Sequence, residues 1–145
     1  MSSQSPPLAA LAPGVSAAGK LDRADIESLA AAGVRTIVNN RPDGEDPGQL
    51  PADEARRVAE AHGIAYHHIP VTAATLTRAD VDAVAAVLAA AEQPIVLHCR
   101  SGTRSTLLWA LVRLREGAEP FGLVAEAAGH GIDIAALPAI AARLR

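Results

Sequence analysis

The chain has 145 residues, half of them hydrophobic, so we expect one folded domain, and disorder is excluded for most of its length. A formal net charge of −3 excludes the basic field that nucleic-acid binding proteins of this size usually carry. The single cysteine, Cys99, excludes an internal disulfide, and no apolar run is long enough to cross a bilayer. The N-terminal residues lack the pattern of a secretory signal, so we expect a cytoplasmic location.

Hydrophobic periodicity and turn residues predict alternating helices and strands. Residues 1–13 are rich in Ser and Pro and are predicted to be a flexible N-terminal segment, with residues 14–145 forming one domain. Asp22 predicts the N-cap of a helix that ends at Ala32. The later predicted elements are a strand at 34–38, a polar loop at 39–48, a helix at 52–62, a strand at 64–69, a helix capped by Thr77, a strand at 95–98, a helix at 106–115 and two short helices around residues 129–131.

This alternation predicts an α/β fold with a central, mostly parallel sheet of four to five strands and helices on both faces. In such sheets the ligand site lies beyond the carboxyl ends of the strands. Three polar segments fall there, at residues 39–48, 70–77 and 99–105. We therefore expect the chemistry of the protein at this edge of the sheet.

Cys99 follows the most strand-like run of the chain, and a short loop joins it to the next helix. The backbone N–H groups of such a loop can converge on an anion, and the helix N-terminus adds partial positive charge. Gly102 permits the unusual backbone conformation that this loop requires, and Arg104 can offer a planar fork to an oxyanion. We therefore predict Cys99 as a nucleophile and Arg104 as a catalytic residue, with a substrate-binding loop formed by Arg100, Ser101, Gly102 and Thr103.

Other residues of these segments are assigned supporting roles. Ser105 is predicted to bond the thiolate or to assist release of the intermediate. His98 is predicted to point away from Cys99 and to stiffen the loop through a hydrogen bond. Arg41 is predicted to help bind an anion, with an ion pair to Asp43 or Glu45 as an equal alternative.

A purely structural interpretation is also open. A free cysteine is often a buried core residue, and Arg104 would then be a solvated helix residue. The Cys-x-x-Gly-x-Arg-Ser pattern at a strand-to-helix junction favours the functional interpretation. The five histidines lack metal-ligand spacing, so no metal and no cofactor are predicted.

Beyond its physical chemistry, the sequence resembles a known family. Residues 98–102 (His-Cys-x-x-Gly) look like the phosphate-binding loop of protein tyrosine and dual-specificity phosphatases. Together with the stretches at 33–45 and 63–71, residues 98–105 are similar to the bacterial β-lactamase hydrolase-like, phosphatase-like domain family. The resemblance implies a tyrosine-phosphatase-like three-layer fold and Cys99 as the nucleophile. In relatives this domain occurs alone or fused to a sulfur dioxygenase, so the resemblance also implies such an enzyme as a partner.

Two departures from ordinary phosphatases bear on the reaction. Four residues separate Cys99 from Arg104, where phosphatase loops have five, and this shorter spacing is also similar to rhodanese sulfurtransferases. In these phosphatases an aspartate that acts as the general acid lies in the segment corresponding to residues 70–76. Here that segment contains no carboxylate. Asp43 or Glu45 is a candidate for the missing proton donor, and the alternative is that their loop is only a polar turn.

These observations predict an enzyme that forms a covalent intermediate on Cys99 with a small anionic substrate. The first prediction is a phosphatase-like hydrolase that cleaves phosphate monoesters of the protein tyrosine or dual-specificity type. The alternative is a rhodanese-like sulfurtransferase that carries sulfane sulfur as a Cys99 persulfide, in thiosulfate or sulfide metabolism. A non-catalytic binding module is the third possibility, and neither nucleic acid nor membrane is an expected partner.

Overall fold

The computed structural model describes residues 5–144. It contains five strands and six helices over those residues. The strands are β1 (Leu8–Ala12), β2 (Val15–Ala18), β3 (Thr36–Asn39), β4 (Ala65–His68) and β5 (Ile95–His98). The helices are α1 (Arg23–Ala31), α2 (Ala52–Ala61), α3 (Arg78–Ala90), α4 (Thr103–Arg115), α5 (Pro120–Gly129) and α6 (Leu137–Arg143). Among the described helices, none combines the length and the apolar character that crossing a membrane would require.

The five strands form one sheet in the order β1-β2-β5-β3-β4. Only β1 runs antiparallel to its neighbour, so the sheet is mostly parallel, as predicted. The register pairs His98 with Ala18 on one side and with Asn39 on the other, and Asn39 in turn pairs with His68. Four parallel strands therefore end level with one another, and the segments that follow them meet at one edge of the sheet.

Helices cover both faces of the sheet, which gives the predicted three layers. Alternate residues of β5 point to opposite faces, so Leu97 packs in one hydrophobic cluster and Val96 in the other. The cluster around Leu97 includes residues from α3, α4, α5 and α6. The cluster around Val96 takes its helical residues from α1 and α2.

The N-terminal prediction is wrong for residues 8–12, which form β1 at the edge of the sheet instead of a flexible segment. Residues 1–4 lie outside the described part of the chain. The sequence analysis also did not predict β2. Both strands are rich in alanine, which has little intrinsic preference for strands, and pairing within the sheet overrides that preference.

The helix that follows the cysteine begins earlier than predicted, at Thr103 instead of Thr106. Helices α1, α2 and α3 begin where predicted, and Asp22 and Thr77 both accept the backbone N–H of the third helical residue, in capping boxes. Because α4 starts at Thr103, only Arg100, Ser101 and Gly102 separate its first residue from Cys99. The helix N-terminus therefore lies closer to the sulfur than the sequence indicated.

Candidate active site

The loop from Cys99 to α4 wraps around the cysteine sulfur. The Gly102 backbone N–H donates to Cys99 Sγ at 3.1 Å, and Gly102 has a φ of +90°, in the left-handed region that favours glycine. The N–H groups of Thr103, Arg104 and Ser105 open α4 and have no carbonyl partner within that helix. The first turn of α4 therefore presents the backbone N–H groups and the partial positive charge that an anion site at this loop would use.

The outer side of the loop is fixed against the end of β2. Lys20 N–H donates to the Arg100 carbonyl at 3.2 Å, and Cys99 N–H donates to the Ala18 carbonyl at 3.2 Å. A Cβ on Gly19 would lie 3.2 Å from the Arg100 carbonyl oxygen, so glycine allows this close approach. The carboxyl end of strand β2, which was not predicted from the sequence, therefore fixes the loop through backbone hydrogen bonds.

The Cys99 side chain has no solvent-exposed surface. Its sulfur accepts the Gly102 N–H and helps to raise the pKa of the Arg104 guanidinium. This environment differs from the hydrocarbon surroundings of an ordinary core thiol.

Arg104 is held over the loop by two other segments. Its Nη1 donates to the Val71 carbonyl at 2.9 Å, and its Nη2 donates to Glu45 Oε1 at 2.8 Å. Nη1 also lies 2.8 Å from Glu45 Oε2, so the ion pair involves both carboxylate oxygens. Burial acts to lower the pKa of Arg104, but Glu45 and the Cys99 sulfur outweigh it and raise that pKa above its ordinary value. The guanidinium is therefore a fixed positive charge near Cys99.

The prediction that Arg41 binds substrate is corrected by its contacts. Its side chain is only 5% exposed, with Nε 3.0 Å from Glu45 Oε1 and Nη2 2.7 Å from Asp46 Oδ2. The alternative of an ion pair with Glu45 is confirmed, while Asp46 was not anticipated. Arg41 holds the two carboxylates in place and is not directed toward an anion at the loop.

Neither candidate for the general acid has the environment of a proton donor. Hydrogen bonding from Arg104 is the main reason why the pKa of Glu45 lies below its ordinary value; burial opposes this shift, and Arg41 adds to it. The carboxylate of Asp43 is exposed and accepts the Ala52 N–H at 2.8 Å, at the start of α2. Glu45 is an ion-pair partner and Asp43 a helix cap, so the interpretation as proton donors is not supported.

Ser105 is fully buried, and its hydroxyl donates to Asn40 Oδ1 at 2.8 Å. Its only proton is therefore committed to Asn40, which differs from the predicted bond to the thiolate. Asn40 is also buried, donates from Nδ2 to the Ile69 carbonyl and from its backbone N–H to the His98 carbonyl. Sequence reasoning missed Asn40, which joins the ends of β3, β4 and β5 to α4.

The remaining predicted residues lie as follows. Arg100 is exposed at the rim, with Nε 3.1 Å from Asp46 Oδ2. The hydroxyl of Ser101 donates to Thr103 Oγ1 at 3.2 Å. His68 bonds the Arg41 carbonyl at 2.7 Å through Nε2 and so has a structural contact there. Within residues 5–144 no cluster of side chains suits a metal ion.

The imidazole of His98 is buried. Its Nδ1 has no hydrogen-bond partner among the described residues, so the predicted hydrogen bond is not made through that atom. Burial lowers the pKa of His98 to about 3; the Cys99 backbone opposes this, and the charges of Arg41 and His68 add to it. The ring is therefore neutral at physiological pH, and its low pKa makes it a poor acceptor for the proton of the cysteine thiol.

We expect a pH-dependent stability from this histidine. Its pKa of about 3 in the folded state lies below the ordinary value of about 6.5, so the unfolded chain binds more protons between these limits. The free energy of unfolding therefore has its full value, as far as His98 is concerned, above about pH 6.5. It falls as the pH falls and is about 2 kcal/mol lower at pH 5. Urea denaturation at several pH values should show this slope. His98→Gln should flatten it, and an unchanged slope in that variant would contradict the assignment.

Comparison with known proteins agrees with this architecture. The family model for the beta-lactamase hydrolase-like protein, phosphatase-like domain, matches residues 7–115. A beta-lactamase hydrolase-like protein of Agrobacterium fabrum is 39% identical over 125 residues, which cover 82% of this chain and 28% of the relative. The chain thus spans about a quarter of the length of the curated relatives it matches.

Solved structures give the same result for the fold. A Neisseria meningitidis protein named as a candidate phosphatase has a TM-score of 0.82 and 31% identity, covering 93% of this chain and 96% of its own. Kinase associated phosphatase, in a form whose catalytic-site cysteine is replaced by serine, has a TM-score of 0.74 at 16% identity, with coverages of 99% and 94%. At that identity the likeness shows the fold alone. The chain belongs to the phosphatase-like domain family of beta-lactamase hydrolase-like proteins, and its fold is that of the cysteine-based phosphatases.

Proposed function

We propose that this protein is a sulfurtransferase that carries sulfane sulfur as a persulfide on Cys99. The phosphatase-like fold supports an enzyme with a cysteine nucleophile, because Cys99 Sγ accepts the Gly102 N–H at the start of α4 and lies close enough to Arg104 to raise the pKa of that guanidinium. The observation that most supports sulfur transfer over phosphate hydrolysis is the position of Glu45. This carboxylate is bonded to Arg104 and Arg41, and its lowered pKa keeps it ionised.

A phosphate monoester with an ordinary alcohol as leaving group needs a proton donor at the departing oxygen. General acid catalysis of this kind contributes typically about 10²- to 10⁴-fold to the rate. The segment facing the loop, residues 70–76, contains no carboxylate, and Glu45 and Asp43 are engaged elsewhere. Hydrolysis of such esters is therefore poorly supported by this site.

Sulfur transfer needs no such donor. The Cys99 thiolate attacks the outer sulfur of thiosulfate, a sulfur–sulfur bond forms on Cys99, and the sulfur–sulfur bond of thiosulfate breaks. The electron pair of that bond leaves with sulfite, which is a stable anion and needs no proton. The loop amides and Arg104 stabilise the negative charge on the departing oxyanion. A sulfur dioxygenase is the partner that we propose consumes the sulfur.

Phosphate monoester hydrolysis remains the second candidate, since the chain belongs to a phosphatase-like family and shares its fold with phosphatases. A covalent phosphocysteine can still form when the leaving group is an aryl oxide that departs without protonation. We expect any phosphatase activity to be confined to such esters. A steep fall in rate from aryl to alkyl phosphates would be its signature.

The buried position of Cys99 adds one requirement to either reaction. Because Cys99 is buried and Arg104, which affects it electrostatically, is held by Glu45, we propose that a substrate reaches the sulfur when this guanidinium moves aside. The anion then replaces Glu45 as the partner of some of the Arg104 N–H groups. Binding of the substrate anion and exposure of the Cys99 sulfur therefore occur in one step.

A paired assay of one preparation tests the proposal. Sulfur transfer from thiosulfate to cyanide and hydrolysis of para-nitrophenyl phosphate are measured side by side, with Cys99→Ser as the control. We expect the sulfur transfer to be the faster reaction and to depend on Cys99. Phosphatase activity without sulfur transfer would establish the second candidate. Equal activities for Cys99→Ser in both assays would contradict covalent catalysis.

A further inference from the structure

Five charged side chains form a continuous chain of ion pairs beside the loop. Arg100 contacts Asp46 at 3.1 Å, Asp46 contacts Arg41 at 2.7 Å, Arg41 contacts Glu45 at 3.0 Å, and Glu45 contacts Arg104 at 2.8 Å. We call this set the arginine–carboxylate chain. It runs from the exposed rim to the guanidinium at the sulfur, and its interior members are largely shielded from solvent, with exposed fractions of 5% for Arg41 and 21% for Glu45.

The arginine–carboxylate chain limits the positive charge that a bound anion meets. Three guanidiniums against two carboxylates leave one net positive charge, and a thiolate on Cys99 would cancel it. The neutral imidazole of His98 adds none. A site balanced in this way attracts a second negative charge on the substrate weakly, because each added charge also meets the Glu45 carboxylate.

Arg104 also has fewer free donors than an unpaired arginine. A guanidinium carries five N–H groups, and here one on Nη1 bonds Val71 while one on Nη2 bonds Glu45. The carboxylate lies against both terminal nitrogens, so the edge best suited to a bidentate oxyanion already holds an anion. A dianion therefore competes with Glu45 for Arg104 at the same time as it is repelled by it.

We infer that Glu45 is a specificity-determining residue that selects sulfur donors with at most one negative charge at the reacting group. The hydropersulfide of a small thiol is such a donor. Thiosulfate and phosphate monoesters are dianions and would be used less well. This inference rests on the proposed function. The Cys99 thiolate attacks the terminal sulfur of R–S–S–H, the new bond forms on Cys99, and the donor's sulfur–sulfur bond breaks. Its electron pair leaves on R–S⁻, and the proton stays on the transferred sulfur.

A protection experiment tests the inference without requiring turnover. Cys99 is alkylated with iodoacetamide, which is uncharged, at constant ionic strength in the presence of sulfate or perchlorate. Both anions are tetrahedral oxyanions, and they differ by one charge. For the wild-type protein we expect half-protection at a lower concentration of perchlorate than of sulfate. Stronger protection by sulfate would overturn the inference, whatever the variants do.

Glu45→Gln provides the second arm. It removes one negative charge beside Arg104, and Coulomb's law at an effective dielectric between protein and water gives about a 5- to 10-fold gain for sulfate relative to perchlorate. Glu45→Asp should keep the wild-type ratio, because the charge remains. Asp46→Asn is the matched control, since it removes the same charge from the chain but not from Arg104, and its ratio should change less. An unchanged ratio in Glu45→Gln would contradict the inference.

The two proposals fail in distinguishable ways. If no donor transfers sulfur to Cys99, the proposed function is wrong, while the protection ratios still report the charge selectivity of the loop. If thiosulfate and a hydropersulfide are used equally well and Glu45→Gln leaves the ratio of their rates unchanged, the proposed sulfur transfer is supported and the role of Glu45 in donor selection is wrong. Initial rates with the two donors, measured for the wild type and Glu45→Gln, separate these results.

Discussion

Replacing Cys99 with serine is expected to lower sulfur transfer by at least about 10³-fold, because a hydroxyl is a far weaker nucleophile than a thiolate. The serine oxygen also cannot carry a persulfide. Initial rates with thiosulfate and with a hydropersulfide are the measurement. Thermal unfolding of both proteins controls for folding, since Cys99 is buried and its Sγ accepts the Gly102 N–H. A folded Cys99→Ser protein with wild-type rates would contradict a covalent role for Cys99.

Arg104→Lys is expected to lower sulfur transfer by about 10²- to 10³-fold, although it keeps the positive charge. Lysine lacks the planar fork that bonds Val71 and Glu45 at once, so its ammonium cannot hold the same position over the sulfur. Arg113→Lys is the matched control, because Arg113 lies on the same helix, is half exposed and pairs with Glu116. Equal rates for the two lysine variants would exclude a specific role for the Arg104 guanidinium.

The loop at Cys99 could be predicted from the sequence because its signals are local. An apolar run ends at the cysteine, glycine follows three residues later, and a helical pattern begins soon after. These are the signals of a strand, a left-handed turn and a helix N-terminus. The structure confirms all three, with β5, the positive φ of Gly102 and α4 in that order.

The partners of the site could not be predicted in the same way, because they are distant in the chain. Arg41 and Glu45 lie in the same loop, four residues apart, whereas Arg104 meets Glu45 across 59 residues, and Ser105 meets Asn40 across 65. Such contacts depend on the register of β3 against β5, which places Asn39 beside His98. A single sequence predicts that both strands exist but not which residues of their loops meet.

The contacts of Asp43 and Glu45 also change the balance between phosphate and sulfur chemistry. In the sequence, Asp43 and Glu45 are two carboxylates in a polar loop, and either is a reasonable proton donor. In the fold, Asp43 bonds the start of α2, and Glu45 is held between two guanidiniums. Their chemistry is set by these partners and not by their position in the loop.

The mass of the intact protein after a single turnover shows whether Cys99 carries a transferred sulfur atom. Wild-type protein is mixed with a hydropersulfide donor, freed of excess donor and measured by mass spectrometry, with Cys99→Ser treated in parallel. We predict that the wild type gains the mass of one sulfur atom, that cyanide removes it, and that Cys99→Ser gains none. A wild-type protein that stays unmodified with sulfur donors, yet gains a phosphoryl group from an aryl phosphate, would contradict sulfur transfer through Cys99.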